Sequence, residues 1–287
     1  IKEDDSFIGE SDEDGRFLLR LKSLRNPLLL WEHHNSKNKQ GVSPSSHHHH
    51  AEPVPVDILV EKGVKGVIIT GPNTGGKTAC MKAIGCASLM ARCGLGVPAS
   101  GLVIVPSFDE VYADIGDDQS LSSNLSTFSS HVGHIKGILR HSKGSSLILL
   151  DELGTGTDPA EGAALGCAIV RACIQGKAAL MVATTHLRHI SHLKYREAAI
   201  ENAAVGANYQ ILWGQAGKSN ALNIAKGLGL QEEILDDAMT RRKEGAINDG
   251  GDDYTTSLMD ADDAVADTLE GLREELSRCA SDIEAGL

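Results

Sequence analysis

Eight consecutive residues, Gly71-Pro72-Asn73-Thr74-Gly75-Gly76-Lys77-Thr78, constrain this chain more than any other stretch. They satisfy the phosphate-binding pattern G-x-x-x-x-G-K-[ST] at every fixed position. Val67-Ile68-Ile69-Thr70 precedes them as a short β-branched run and reads as a buried strand, while Ala79 to Ile84 reads as the first turns of a helix. Strand, glycine-rich turn and helix together let backbone N–H groups wrap around phosphate oxygens, with the positive end of the helix dipole behind them. In that setting Lys77 reaches the β- and γ-phosphates as a point charge, and the Thr78 hydroxyl ligates Mg²⁺. The pattern predicts an α/β phosphate-loop domain that takes a nucleoside triphosphate.

A second signal supports the first. Leu147-Ile148-Leu149-Leu150-Asp151-Glu152 places four aliphatic residues before two carboxylates, as a buried strand ending at a catalytic edge would. In open α/β sheets, ligands sit outside the carboxyl ends of the strands. Asp151 therefore faces the Mg²⁺ shell and Glu152 accepts a proton from an attacking water. Gly154 to Thr157 forms a tight turn, with Asp158 as the N-cap and Pro159 at the first position of a helix running to Ile174. Ala178 to Thr185 reads as another buried strand that delivers His186 just past its end, where it can contact the γ-phosphate or the attacking water. His186, His189 and His192 also suggest a metal, but no fourth ligand accompanies them and a mobile polar loop is the better reading.

Between these signals, Gly101 to Pro106 reads as a strand and Phe108 to Ile115 as an apolar-acidic alternation. The serine-rich segment from Leu121 to His131 then opens a helix carrying Val132, Ile135, Ile138 and Leu139. Ser126 and Thr127 fit either an N-cap-rich loop or a second anion site at a helix N-terminus, and local pattern does not separate the two.

Composition narrows the partners. A formal net charge of −12 argues against this stretch being a DNA-wrapping surface. Aromatic residues make up 3% of the chain, too few for base-stacking platforms. The six cysteines form no C-x-x-C pair and read as reduced core thiols of a reducing compartment. No apolar run approaches the roughly 18 residues that a membrane span needs. The chain begins at Ile1 without an initiator methionine, so it reads as a piece of a longer protein whose targeting stays open.

Three regions follow. Residues 1–55 hold an N-terminal lead-in and a low-complexity linker with His47 to His50, residues 56–243 the ATPase domain, and residues 244–287 an acidic linker and a helix. Tyr209 to Trp213 reads as an edge strand, Ser219 to Lys243 as two helices broken near Gly227, and Gly245 to Asp253 as a flexible linker. Leu258, Ala261, Val265, Leu269, Leu272, Leu276, Cys279 and Ile283 recur at spacings that predict a short coiled-coil or spacer helix.

The wording of these motifs is narrower than their pattern. GPNTGGKT at 71–78, Ser126-Thr127-Phe128-Ser129-Ser130-His131, DELGTGTDPAEGAAL at 151–165 and Thr184-Thr185-His186 together resemble the MutS family of DNA-repair ATPases. Thr74 and the GTGTDPAEG wording are most similar to the branch, found in bacteria and plastids, that often carries a C-terminal Smr nuclease domain. Arg25-Asn26-Pro27-Leu28-Leu29 and Gly217-Lys218-Ser219-Asn220-Ala221-Leu222 add to the likeness. The resemblance implies an ABC-type ATPase fold, with a mixed, mostly parallel sheet flanked by helices, working as a dimer with ATP and Mg²⁺. One subunit holds ATP on Gly71, Pro72, Asn73, Thr74, Gly75, Gly76, Lys77 and Thr78, with Asp151 on the metal, Glu152 as base and His186 near the γ-phosphate. The facing copy closes the site with Ser126 and Thr127, and Gln119 corresponds to the metal- and water-sensing loop.

DNA would be held mainly by domains absent from this chain, since no mismatch-recognition, connector, clamp or Smr region is present. The family pattern is also longer between Ala204 and Tyr209, so this chain carries either a shortened hairpin at the sheet edge or an imperfect gene model. The expected activity is ATP hydrolysis driving action on mismatched or branched DNA. The competing readings are a nucleotide-gated dimerisation scaffold with negligible turnover, a different ABC-type ATPase, and a ribosome- or RNA-directed ATPase of the same branch.

Overall fold

The computed structural model describes residues 15–38, 52–72, 75–116, 127–206, 208–217, 222, 225–226 and 228–248. Within these, nine strands and six α-helices follow in the order β1 (Phe17–Leu24), α1 (Pro27–Asn38), β2 (Val56–Glu61), β3 (Gly66–Thr70), α2 (Lys77–Arg92), β4 (Ser100–Ile104), β5 (Glu110–Asp114), α3 (Thr127–His141), β6 (Ser146–Leu150), α4 (Pro159–Ala172), β7 (Leu180–Thr184), α5 (Arg188–Ser191), β8 (Ile200–Val205), β9 (Ile211–Trp213) and α6 (Glu232–Asn248). The expected coiled-coil helix and the His47 to His50 tract lie outside the described residues.

The main sheet has the order β5-β6-β7-β3-β8-β9. Its first five strands run parallel, and β9 returns antiparallel at the edge. Helical crossovers cover both faces, which is why β3, β6 and β7 are buried along their whole length. Their side chains divide by the two-residue period of a strand. Val67, Ile69, Leu147, Leu149, Leu180 and Val182 join one core with Met81 and Ile84 of α2. Ile68, Ile148, Leu150, Met181 and Ala183 join the other with Ile135 and Ile138 of α3 and Ile169 and Val170 of α4.

A second sheet, β2-β1-β4, is antiparallel throughout. It feeds Leu19, Leu21, Leu24, Ile58 and Val60 into the first of those cores. Sequence pattern shows β1 and β2 only as apolar stretches. α1 and the residues after it separate the two strands in sequence, and no local signal specifies their pairing.

The boundaries follow ordinary end chemistry. Asp158 caps α4 by accepting N–H bonds from Ala160 at 3.0 Å and Glu161 at 3.1 Å, with Pro159 at the first helical position. Asn26 caps α1 in the same manner, accepting from the Leu28 and Leu29 N–H groups. Its Nδ2 donates to the Ala79 carbonyl at 2.9 Å, pinning the lead-in segment to the start of α2.

Two expectations shift. The edge strand begins at Ile211, because Tyr209 and Gln210 close back on Gly206, whose N–H donates to the Gln210 carbonyl at 3.0 Å. The short stretch before Tyr209 therefore folds as a hairpin with continuous register from Ala203↔Trp213 to Val205↔Ile211. The helix expected to stop at Lys243 runs on to Asn248, into the first residues of the anticipated linker, whose remainder lies outside the described residues.

The chain divides into two units, Ile1–Asn220 and Ala221–Leu287. No helix among the described residues is long and apolar enough to cross a membrane. The described cysteines are all free thiols, and burial pushes Cys80 up to about 12 and Cys173 up to about 11.

Truncating the fully buried Ile148 to alanine should destabilise the domain by about 2–5 kcal/mol, whereas Asp158→Ala should remove only about 0.5–2 kcal/mol. Urea unfolding would separate them, and equal losses would contradict this account of the core.

Candidate functional site

The carboxyl ends of three adjacent strands meet at one edge. Parallel register sets Ile69 of β3 against Thr184 of β7 and Leu150 of β6 against Ala183, so Gly71, Asp151 and Thr185 leave the sheet side by side.

The phosphate loop emerges from β3 in a conformation that glycine permits. Gly71 has φ +138°, and a Cβ there would stand 2.4 Å from the Val205 carbonyl oxygen. Gly217 closes on the same point, its N–H donating to Thr70 Oγ1 at 2.5 Å. Gly76 has φ +83° and delivers the chain into α2. Lys77, 5% exposed, turns back on the loop and donates from Nζ to the Gly71 carbonyl at 3.0 Å and the Pro72 carbonyl at 3.1 Å. Burial lowers its pKa, and the nearby Glu152 and Asp151 charges oppose that shift.

Asp151 is the centre of the polar network. Its Oδ1 accepts from Thr78 Oγ1 at 3.2 Å and from Thr184 Oγ1 at 2.5 Å. The Thr184 hydroxyl also accepts the Glu152 N–H at 2.8 Å. It is fully buried, so one hydroxyl holds both the Asp151 carboxylate and the Glu152 main chain. Below it, Leu153 N–H donates to the Thr184 carbonyl at 2.9 Å, and Thr185 Oγ1 donates to the Leu153 carbonyl at 2.9 Å. Sequence reasoning reads Thr184 within the Thr184-Thr185-His186 wording but gives it no role, since a threonine ending an apolar run looks like an ordinary β-branched strand residue.

Glu152 is left-handed at φ +48°, a conformation that costs a non-glycine residue roughly 1–2 kcal/mol. Its side chain is exposed, and its carbonyl accepts from Thr155 N–H and Oγ1 at 3.1 and 2.8 Å. The turn beyond is clamped to α4, since a Cβ on Gly162 would lie 2.1 Å from the Gly154 carbonyl oxygen. His186 follows β7. Desolvation and then the Lys77 charge lower its pKa, while Glu152 and Asp151 pull the other way.

Lys77, Thr78, Asp151, Glu152 and His186 are thus brought to one strand edge. Asn73, Thr74, Gln119 and Ser126 lie outside the described residues, and Thr127 is described only as the first residue of α3. Among the described residues, no group of three or more His, Cys, Asp or Glu side chains is placed to hold a metal on its own. The Thr78 hydroxyl and Asp151 carboxylate nonetheless suit Mg²⁺. That cation takes oxygen ligands, commonly one or two carboxylates completed by substrate phosphates and water.

A groove of about 260 Å³ opens beside the loop, lined by Leu29, Pro53, Val54, Gly76, Ala79 and Tyr209 among others. It is mostly apolar, and Tyr209 stands close over Gly76, 3.0 Å from where a Cβ would be.

Fold and site together define an α/β phosphate-loop domain of the kind that handles nucleotides. The comparisons narrow this, because residues 67–244 match the family model described as MutS domain V, the phosphate-loop ATPase domain of its family. The chain belongs to the MutS family, in its MutS2 branch. It is 48% identical over 198 residues to the "Endonuclease MutS2" of Carboxydothermus hydrogenoformans, covering 67% of this chain and 25% of that one. It is 41% identical over 245 residues to the same-named protein of Synechocystis sp., covering 77% and 28%. The Geobacillus kaustophilus protein is 46% identical over 192 residues, covering 64% and 24%. The chain therefore spans about a quarter of the length of these curated relatives.

In the nucleotide-free protein, His186 should titrate below its ordinary value of 6.5 and be neutral at pH 7, as an NMR pH series would report. A value above 6.5 would mean that the two carboxylates outweigh burial and Lys77.

Proposed function

We propose that this chain is the ATP-binding and ATP-hydrolysing motor of a MutS2-like protein that acts on mismatched or branched DNA. The observation that supports the reading most is the Thr78–Asp151–Thr184 network, in which the first hydroxyl of α2 and a buried carboxylate face each other and the same Thr184 holds the Glu152 backbone.

In this reading the backbone N–H groups of the loop hold the phosphates, and Lys77 turns from the Gly71 and Pro72 carbonyls to the β- and γ-oxygens. Thr78 and Asp151 hold Mg²⁺, which when bound neutralises charge building on the transferred phosphoryl group. Glu152 accepts a proton from the attacking water, and its strained backbone is consistent with a side chain aimed for chemistry. A neutral His186 contacts the γ-phosphate or the water as a hydrogen-bond donor. The nucleotide base seats in the apolar groove between Pro53, Val54 and Tyr209.

A second copy of the chain closes the site with the block around Ser126 and Thr127, with Gln119 reporting the state of metal and water. ATP binding favours the closed dimer and hydrolysis releases it. DNA is held mainly by parts of the whole protein beyond this chain, in keeping with its net charge of −12.

ATP turnover measured together with sizing tests this. Glu152→Gln should lower kcat by about a hundredfold or more and trap an ATP-dependent dimer, while Lys77→Ala should abolish nucleotide-dependent association. If ATP binds but neither substitution changes turnover or association, the hydrolase assignment fails and the dimerisation scaffold replaces it.

A further inference from the structure

Asp114, the last residue of β5, is a carboxylate that the proposed hydrolytic steps leave unused, and it is 4% exposed. Burying a carboxylate is unfavourable unless its oxygens are paired. Here Oδ2 accepts from His131 Nδ1 at 2.7 Å and Oδ1 accepts from His134 Nδ1 at 3.1 Å. A carboxylate can only accept, so both imidazoles must carry their proton on Nδ1. The two histidines are three apart on α3 and share a face, so Asp114 grips that helix at two points.

The same residue reaches the hydrolytic edge by its backbone. Asp114 pairs with Leu150 in the parallel register, and its carbonyl accepts the Asp151 N–H at 2.9 Å. α3 also meets the turn beyond the acid pair, where a Cβ on Gly156 would stand 3.4 Å from Phe128 Cβ. A small cleft is lined from one side by Phe128 and His131 and from the other by Glu152 and Gly154. The other anchors of α3 on the sheet include the apolar contacts of Ile135 and Ile138, which are non-directional and fix the helix's orientation less than hydrogen bonds do.

We propose that Asp114 is a positioning residue that, through His131 and His134, locks α3 to the strand edge carrying Asp151 and Glu152. Resting on the ATPase reading above, this makes the Thr127 end of α3, offered to the partner copy's nucleotide, move as one body with this copy's own hydrolytic edge. The two composite sites of a dimer are then coupled through a side-chain link inside each subunit.

The test uses the full chain with Asp114→Asn, His131→Ala and His131→Asn, the last keeping an N–H donor near the Nδ1 position. Binding of a fluorescent ATP analogue with Mg²⁺, steady-state turnover, and hydrogen exchange over 127–141 and 146–153 are measured together. Asp114→Asn and His131→Ala should lower kcat about tenfold with nucleotide affinity changed less than about twofold, and His131→Asn should recover most of the loss. Nucleotide-induced protection should spread from 146–153 to 127–141 in the wild type but not in His131→Ala. Equal kcat loss in His131→Ala and His131→Asn, or affinity falling together with melting temperature, would show a merely structural contact and overturn the proposal. If the wild type binds nucleotide without turning over, the hydrolase reading fails and the exchange pattern decides alone. Spread of protection lost in His131→Ala then supports the link, and no spread in the wild type overturns it.

Discussion

One buried hydroxyl holds the site together. Thr184 Oγ1 donates to Asp151 at 2.5 Å and accepts from the Glu152 backbone at 2.8 Å, so the Asp151 carboxylate and the Glu152 main chain are tied to the same atom. That arrangement requires β6 and β7 to be neighbours in parallel register, which places Thr184 beside the residue that follows Leu150. It also requires Leu150-Asp151 to leave the sheet where β3 delivers the phosphate loop. The strand order β6-β7-β3 meets both needs, so the fold's topology and the site's chemistry share one geometric condition.

Around that hydroxyl, close backbone approaches fix the loops. Gly71 lies against Val205, and Gly154 lies against Gly162, both too near for a side chain to fit between. The left-handed backbone of Glu152 is held by its own N–H bond to Thr184 and by Thr155 closing on its carbonyl. Packing on both faces of the sheet therefore offsets a local strain that falls at a residue expected to do chemistry. Lys77 shows the same economy of contacts, resting on loop carbonyls with its charge disfavoured by burial and favoured by two carboxylates.

The parts of this molecule that are legible in sequence are those whose physics is local. The strand and helix that flank the phosphate loop, the aliphatic run before Asp151-Glu152, the cap at Asp158 and the strand before His186 are each written in a few adjacent residues, and each of these elements forms where expected. What sequence hides depends on contacts far apart in the chain. β1 and β2 pair across 32 to 44 residues of separation, from Leu24↔Val56 to Phe17↔Glu61, and look like plain apolar stretches beforehand. Thr184 reads as a strand residue until β6 lies beside it. Asp114 looks like one acid in an alternating run, and only the placement of α3 brings His131 and His134 onto it. The hairpin at Gly206 to Gln210 likewise shows its fit, with Tyr209 over Gly76, only when the sheet edge is built.

In the proposed function, this edge receives a nucleotide with its cation before any partner arrives. Equilibrium binding of a fluorescent ATP analogue to the chain, with Mg²⁺ and with excess chelator, tests it most directly. The account predicts saturable binding at one nucleotide per chain, tightened about tenfold or more by Mg²⁺ through Thr78 and Asp151. Binding that is absent, or that is indifferent to Mg²⁺, would contradict it.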